Sequence, residues 1–558
     1  MPVPHSFDTV VVGAGAAGCV MANRLSADPG RRVALIEAGP SDRAFPMNWK
    51  TTLPIGNVFL LPHARYNWQH VFEGGPGTGD RQIPCPRGRL VGGCTSVNGT
   101  VYIRGNRRDY DGWAARGNRG WAWTDVLPWF MRHENRAGPA SPLHGKSGEL
   151  DVQPLRSVNP LAHAFVEAAA AAGHARSDDF NGPEQDGFGL FDLNQRDGVR
   201  LSSSRAFLHP ALARSNLVLY TDALVERVRL GGPRNAPRAE GVTIVQSGRR
   251  VDIAADEVIL AAGTVNSPQL LLLSGLGPAA DLRRLGIDVR ADLPGVGENL
   301  QDHPTVSLAF SNPSAESYAV TWRSAHRNAW APFLYALRRR GMLASNAAEA
   351  GGFWRSHPGL DRPDVQYTFM VGLKLSARTM PRSHGCMLHV ATLRPATRGR
   401  LTLASADPAA RPRMEARFLE SHTDVESLIA GLREGRRILG MPAFARYTGT
   451  ELSPGPATAT DAELEAFIRR TSSTTYHPVG TCRMGPEGDS LAVVDHELRV
   501  HGVDRLRVAD ASVMPDIIGG NTSAPSMMIG ERCAAFVLVQ RKATRRDGAP
   551  VSNEESTA

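Results

Sequence analysis

The sequence predicts an α/β fold that opens with a Rossmann-type dinucleotide-binding βαβ unit, and three observations predict it. Residues 9–12 form a continuous β-branched run ending at a glycine, the pattern of a strand buried on both faces. Gly13-Ala14-Gly15-Ala16-Ala17-Gly18 follows and leads into a helical stretch over residues 19–27. A second strand over residues 32–36 then ends on Glu37, ~20 residues beyond Gly18.

Each part of this unit has a physical task. Gly13 permits the tight turn, Gly15 lets backbone amides approach a pyrophosphate, and Gly18 lets helix and strand pack closely. Ala16 and Ala17 belong to the same cofactor-facing turn, and the N-terminus of the helix that follows points at the phosphates. Glu37, with Ala38 beside it, is placed to accept hydrogen bonds from an adenosine ribose, which favours NAD or FAD over NADP. Further on, Arg87-Gly88-Arg89-Leu90-Val91-Gly92-Gly93-Cys94-Thr95-Ser96-Val97-Asn98-Gly99 is a second glycine-rich segment. Its adjacent glycines let backbone lie flat against a planar ligand or a diphosphate, and an ordinary NAD dehydrogenase has no need of it. Residues 216–220 and 257–260 read as strands, and residues 424–439 have helical apolar spacing.

From the second glycine segment onward, together with Tyr102-Ile103-Arg104-Gly105 and Asp109-Tyr110-Asp111-Gly112-Trp113, the chain resembles the glucose–methanol–choline oxidoreductase family, whose members bind FAD. Further matches come in family order from about residue 6 to about residue 537. They include Ala261-Ala262-Gly263-Thr264-Val265-Asn266-Ser267-Pro268, Pro294-Gly295-Val296-Gly297-Glu298-Asn299-Leu300-Gln301-Asp302-His303, His477-Pro478-Val479-Gly480 and Asp510-Ala511-Ser512 through Gly520-Asn521-Thr522.

The resemblance implies an α/β protein, α+β overall. A discontinuous Rossmann-type FAD-binding domain would span residues 6–160, 200–305 and 478–540, interleaved with an antiparallel-sheet substrate domain over 161–199 and 311–476. A disordered tail over residues 541–558 is expected. Beside the opening βαβ residues, the resemblance assigns the cofactor Arg89, Val91, Gly92, Gly93, Asn98, Gly99, Val225 near the adenine, Ala262, Gly263, Asp510, Ala511, Asn521 and Thr522. Some choline-oxidising relatives attach flavin through a histidine where this chain has Val97, so FAD is expected to be non-covalent.

FAD accepts hydride, so the protein has to supply orientation, a base and electrostatics. A base near neutral pKa points to histidine, and the family position is His477. Its partner is Asn521, an amide able to donate to the substrate oxygen as charge develops. The expected reaction is oxidation of a primary alcohol to an aldehyde, with electrons passing to a quinone or carrier, or to O2 as in a peroxide-forming oxidase. An FAD-containing hydroxynitrile lyase, a light-driven decarboxylase and a redox-silent flavoprotein are the rival readings. The substrate side has Trp322, Trp330, Phe333, Tyr335, Phe353, Trp354, Tyr367 and Phe369, but no carboxylate can be placed beside them to cage a quaternary ammonium.

Composition excludes other classes. The 558 residues are 42% hydrophobic and 21% charged with a net charge of +8, which fits a globular protein with no dedicated nucleic-acid role. Cysteines at 19, 85, 94, 386, 482 and 533 form no C-x-x-C pair, and His384, Cys386 and His389 lack a fourth zinc ligand, so reduced thiols and no metal are expected. His303 reads as structural, Cys94 as a packing residue, and Arg338-Arg339-Arg340 as a solvated face. With no apolar run long enough to cross a bilayer and no signal-peptide pattern, a cytoplasmic protein without a transmembrane segment is expected, with a homodimer left open.

Overall fold

The computed structural model describes residues 6–45, 47–373 and 382–547. Two seven-stranded sheets organise them. In the first, Leu217–Tyr220, Val33–Ile36, Ser6–Val12 and Arg249–Leu260 run parallel, and Arg238–Gln246 and Ala223–Gly231 continue it as an antiparallel meander. Val10, Val11 and all four residues of Val33–Ile36 are buried, as a strand covered on both faces requires.

The strand Arg249–Leu260 explains how distant parts of the chain share one sheet. Its first half pairs antiparallel with Arg238–Gln246, and its last three residues pair parallel with Leu506–Val508. Ser6–Val12 occupies its other edge. The expected strand over 257–260 is therefore the end of a longer one, lengthened because each half finds a different partner. The first helix, Ala16–Leu25, begins three residues before its expected start, since Gly15 already accepts from the Cys19 amide.

Every neighbouring pair of the second sheet is antiparallel: Glu451–Ser453, Pro304–Ser311, Gly385–Thr392, Val365–Met370, Ala348–Trp354 and Gly187–Leu190. The helix His422–Leu439 covers it, with Leu428, Leu432 and Leu439 buried. The fold is thus the expected mixed α/β arrangement. Cys386 is buried within Gly385–Thr392, whereas His384 is bonded to the hydroxyls of Ser317 and Thr321, and His389 to that of Ser307. The last helix, Ser523–Asp547, runs past the expected start of the tail at 541, and residues 548–558 lie outside the described residues.

Candidate active site

One long cavity runs from the first glycine turn, past the strand ends of the first sheet, to His477. At its first end, Gly13 has φ +103°, and a Cβ there would lie 2.4 Å from the Ala261 carbonyl oxygen. Turn and neighbouring strand therefore touch through backbone alone. The Glu37 carboxylate accepts from the amides of Ala14 (3.0 Å) and Gly39 (2.9 Å). Burial pushes its carboxyl up to about 7 against the opposing pull of those amides and of Arg89.

Of the residues assigned to the cofactor, Gly13, Gly15, Ala16, Ala17, Glu37, Ala38, Gly93, Asn98, Gly99, Val225, Ala262, Gly263, Asp510, Ala511, Asn521 and Thr522 all line this cavity. Four others stand behind its wall. Gly18 packs on the Gly13 carbonyl, and Val91 is buried with its amide on the Pro40 carbonyl. The Gly92 amide ties the second glycine segment to the Ala14 carbonyl at 2.7 Å, and the Arg89 guanidinium lies 4.8 Å over the Trp68 ring. Asp510 is fixed by the Gly263 amide and the Ser267 hydroxyl, and burial raises its carboxyl.

At the other end, residues 473–479 run antiparallel to residues 301–305 and carry His477. The Asp302 carboxylate accepts the His477 amide at 2.8 Å, and Arg87 donates to the Tyr476 carbonyl at 2.6 Å. Tyr476 sits at φ +66°, a left-handed conformation uncommon for a bulky residue, which turns the chain just before the histidine. Asn521 follows Gly520, whose φ is +150° and where a Cβ would lie 2.5 Å from Ile103.

Hydrogen bonds set the protonation of this end. His303 Nε2 is 3.1 Å from the Ile518 carbonyl, which can only accept, so His303 carries its proton on Nε2. Its Nδ1 is then an acceptor 3.2 Å from His477 Nδ1, which donates, with the Thr475 hydroxyl at 2.9 Å from the same atom. His477 Nε2 is left as a lone pair, 3.2 Å from Asn521 Nδ2. Gln366 of the second sheet donates to Asn521 Oδ1 at 3.2 Å and holds the amide with its NH2 toward the histidine. Burial first, and then His303 and Arg87, hold the His477 imidazole well below its usual value, while burial takes His303 down to about 3. Both rings are therefore neutral at physiological pH.

Sequence reasoning treated His303 as structural; it orients His477. It missed Gln366, whose role depends on a contact across 155 residues, and it missed Trp68 and His70 of the cavity wall. Both His70 nitrogens are buried without a hydrogen-bond partner. None of the eight aromatics named for the substrate side lines the cavity: Tyr367 and Phe369 are core, and Trp322 is 86% exposed. Cys94 does line it, with its sulfur accepting the Gly88 amide at 3.4 Å.

Models of the GMC oxidoreductase family match residues 7–305 and 395–530. The chain belongs to the GMC oxidoreductase family. It is 41% identical over 537 residues to an alcohol dehydrogenase [acceptor] of Pseudomonas putida, covering 95% of this chain and 96% of that one. An oxygen-dependent choline dehydrogenase of Sinorhizobium medicae is 40% identical, with 98% of each chain covered. Among solved structures, a formate oxidase of Aspergillus oryzae RIB40, described for its FAD modification, superposes with a TM-score of 0.89 at 25% identity, over 97% of this chain and all of the other.

This GMC oxidoreductase is an FAD enzyme acting on CH–OH donors. The residues present fit the cofactor: a backbone cradle at Gly13 that a Cβ would fill, a helix N-terminus beside it, and the buried Glu37 carboxylate at the end of the second strand. No helix among the described residues is long and apolar enough to cross a membrane.

Proposed function

We propose that the chain oxidises an uncharged primary alcohol to the aldehyde, with His477 as base and Asn521 as donor to the substrate oxygen. The convergence of His477 Nε2 and Asn521 Nδ2, 3.2 Å apart on the cavity wall, carries this reading. An alcohol oxygen placed against both atoms gives its proton to the Nε2 lone pair and takes a hydrogen bond from Nδ2 as negative charge develops. His303 accepts from His477 Nδ1 throughout, which fixes the ring and its tautomer so that Nε2 keeps the lone pair. FAD, when bound, supplies the hydride acceptor.

Residues 6–160, 200–305 and 478–540 form the cofactor-binding unit in this proposal, and residues 161–199 and 311–476 bring Gln366 to Asn521 from the substrate side. FAD is held without a covalent bond, because Val97 offers the cavity only carbon. An uncharged substrate follows from the charges present. The carboxylates lining the cavity, Glu37 and Asp510, are committed to backbone amides and hydroxyls, and the charge beside His477 on the same wall is that of Arg87. Electrons then pass to a quinone or carrier in preference to O2.

Anaerobic addition of a panel of alcohols tests the proposal. Loss of the visible flavin band with aldehyde formation is the expected result, and a repeat with oxygen or a quinone analogue reads the acceptor. A flavin band unchanged by every alcohol, with cyanohydrin cleaved instead, would replace this reaction by a lyase.

A further inference from the structure

The helix Ala325–Arg338 buries one side and leaves the other bare. Ala331 and Tyr335 face inward, and Tyr335 packs with Leu53 and Ala344. Trp330, Phe333 and Leu337 share the opposite face, 62%, 59% and 80% exposed, and Trp322 precedes them. The Trp330 and Phe333 rings stack on each other at 5.6 Å. A helix of a globular protein usually turns such a stripe inward. The segment packed beside it through Leu53 repeats the pattern, with Phe45, Trp49 and Phe59 exposed.

Charge accompanies the apolar groups. Residues 43–65 and 317–345 contain no Asp or Glu, yet they carry Arg43, Lys50, Arg65, Arg323, Arg327 and the run Arg338-Arg339-Arg340. A two-fold contact with a second copy would set these cations against themselves. An anionic lipid surface matches both features: arginines reach phosphate headgroups while Trp, Phe and Leu enter the acyl boundary. No described helix can span a bilayer, so the contact would lie along the surface. Asn57 and Leu61 of the same neighbouring segment line the cavity, which places the face next to the active site.

We propose that the helix Ala325–Arg338 and the adjoining Phe45, Trp49 and Phe59 form a docking face for the surface of an anionic phospholipid bilayer. Each cation brought to such a surface favours binding by about fivefold, so the contact is strongly salt-dependent.

Flotation of the holoenzyme with vesicles of phosphatidylcholine plus phosphatidylglycerol, and with phosphatidylcholine alone, tests this. The expected result is co-flotation with the mixed vesicles only, reversed by high salt. W330S/F333S/L337S and R338E/R340E should each lose it by about tenfold or more, with FAD retention unchanged as the control for folding. If the serine variant fails that control, the charge-reversed chain decides alone. Holoenzyme that stays at the bottom with mixed vesicles overturns the proposal. So does a dimer in sedimentation equilibrium that W330S/F333S/L337S splits into monomers, because the face would then be a contact between copies.

Discussion

At the glycine end of the cavity, the turn, the helix start and the Glu37 carboxylate all come from the continuous stretch of residues 6–38. At the other end, Asp302, His303, Thr475 and Asn521 bond to His477 and Gln366 holds Asn521, so the network is drawn from separate stretches of the chain. The first end is held by backbone contacts, such as Gly13 on Ala261; the second is held by side-chain hydrogen bonds. Backbone contact leaves no room for a substituent, so a change there acts on cofactor retention. A side-chain network can lose one member and keep its shape, so a change there acts on rate.

The largest expected effect tests the first end. Gly13→Val has to place its Cβ against the Ala261 carbonyl in a conformation valine disfavours, and the purified variant should retain no FAD. A flavin-to-protein absorbance ratio equal to that of the parent would break the comparison at once. At the second end, His477→Ala should lower alcohol-dependent flavin reduction about 10²–10⁴-fold with FAD still bound, read by anaerobic stopped flow. Asn521→Ala should cost roughly 10²-fold in the same experiment. If Asn521→Ala instead lost flavin at an unchanged rate, that residue would belong with the backbone-held end.

A smaller effect sharpens the role of His303. Because burial keeps the His477 imidazole below its usual value, the proton-free base predominates through neutral pH, and the rate of flavin reduction should fall only on the acid side. Removing His303 takes away one of the influences that lower it, so His303→Ala should move the acid limb to higher pH and slow the reaction roughly tenfold. His303→Gln, which can accept from Nδ1 and donate to Ile518, should restore part of the rate. A pH profile identical to the parent's would reduce His303 to packing. The smallest effect concerns Glu37, whose carboxyl is raised to about 7 by burial. Its charged, better-accepting form is populated as pH rises through that value, so FAD affinity should climb there. Glu37→Gln should flatten the titration, measured by recovery of flavin fluorescence on dilution.

How much was legible follows the same division. The glycine turn, Glu37 and the flanking strands were readable because each signal lies within a few residues of its structural consequence, and the element bounds alone shifted, to Ser6–Val12, Ala16–Leu25 and Val33–Ile36. His477 and Asn521 were found by family position, but their mutual geometry was not visible. His303 carried no local sign that Ile518 would fix its tautomer, and Gln366 looked like any polar residue on a strand. The aromatics of the substrate side could not be placed for a different reason: apolar character does not tell core from surface. Tyr367 became core and Trp330 became exterior, while Trp68 and His70 took the wall.

The split pairing of Arg249–Leu260 also sets an order of events at the ribosome. The opening strand finds its first neighbour, Val33–Ile36, early and its second once residue 260 is made, but that second neighbour's last residues wait for Leu506–Val508, and the cavity wall waits for Asn521 and Ser526. At ~5–20 residues per second, this is a delay of roughly tens of seconds during which a half-formed nucleotide site is exposed. Cofactor loading is then the last act of maturation, and a chain that stalls before residue 521 leaves its glycine turn intact with no enzyme around it.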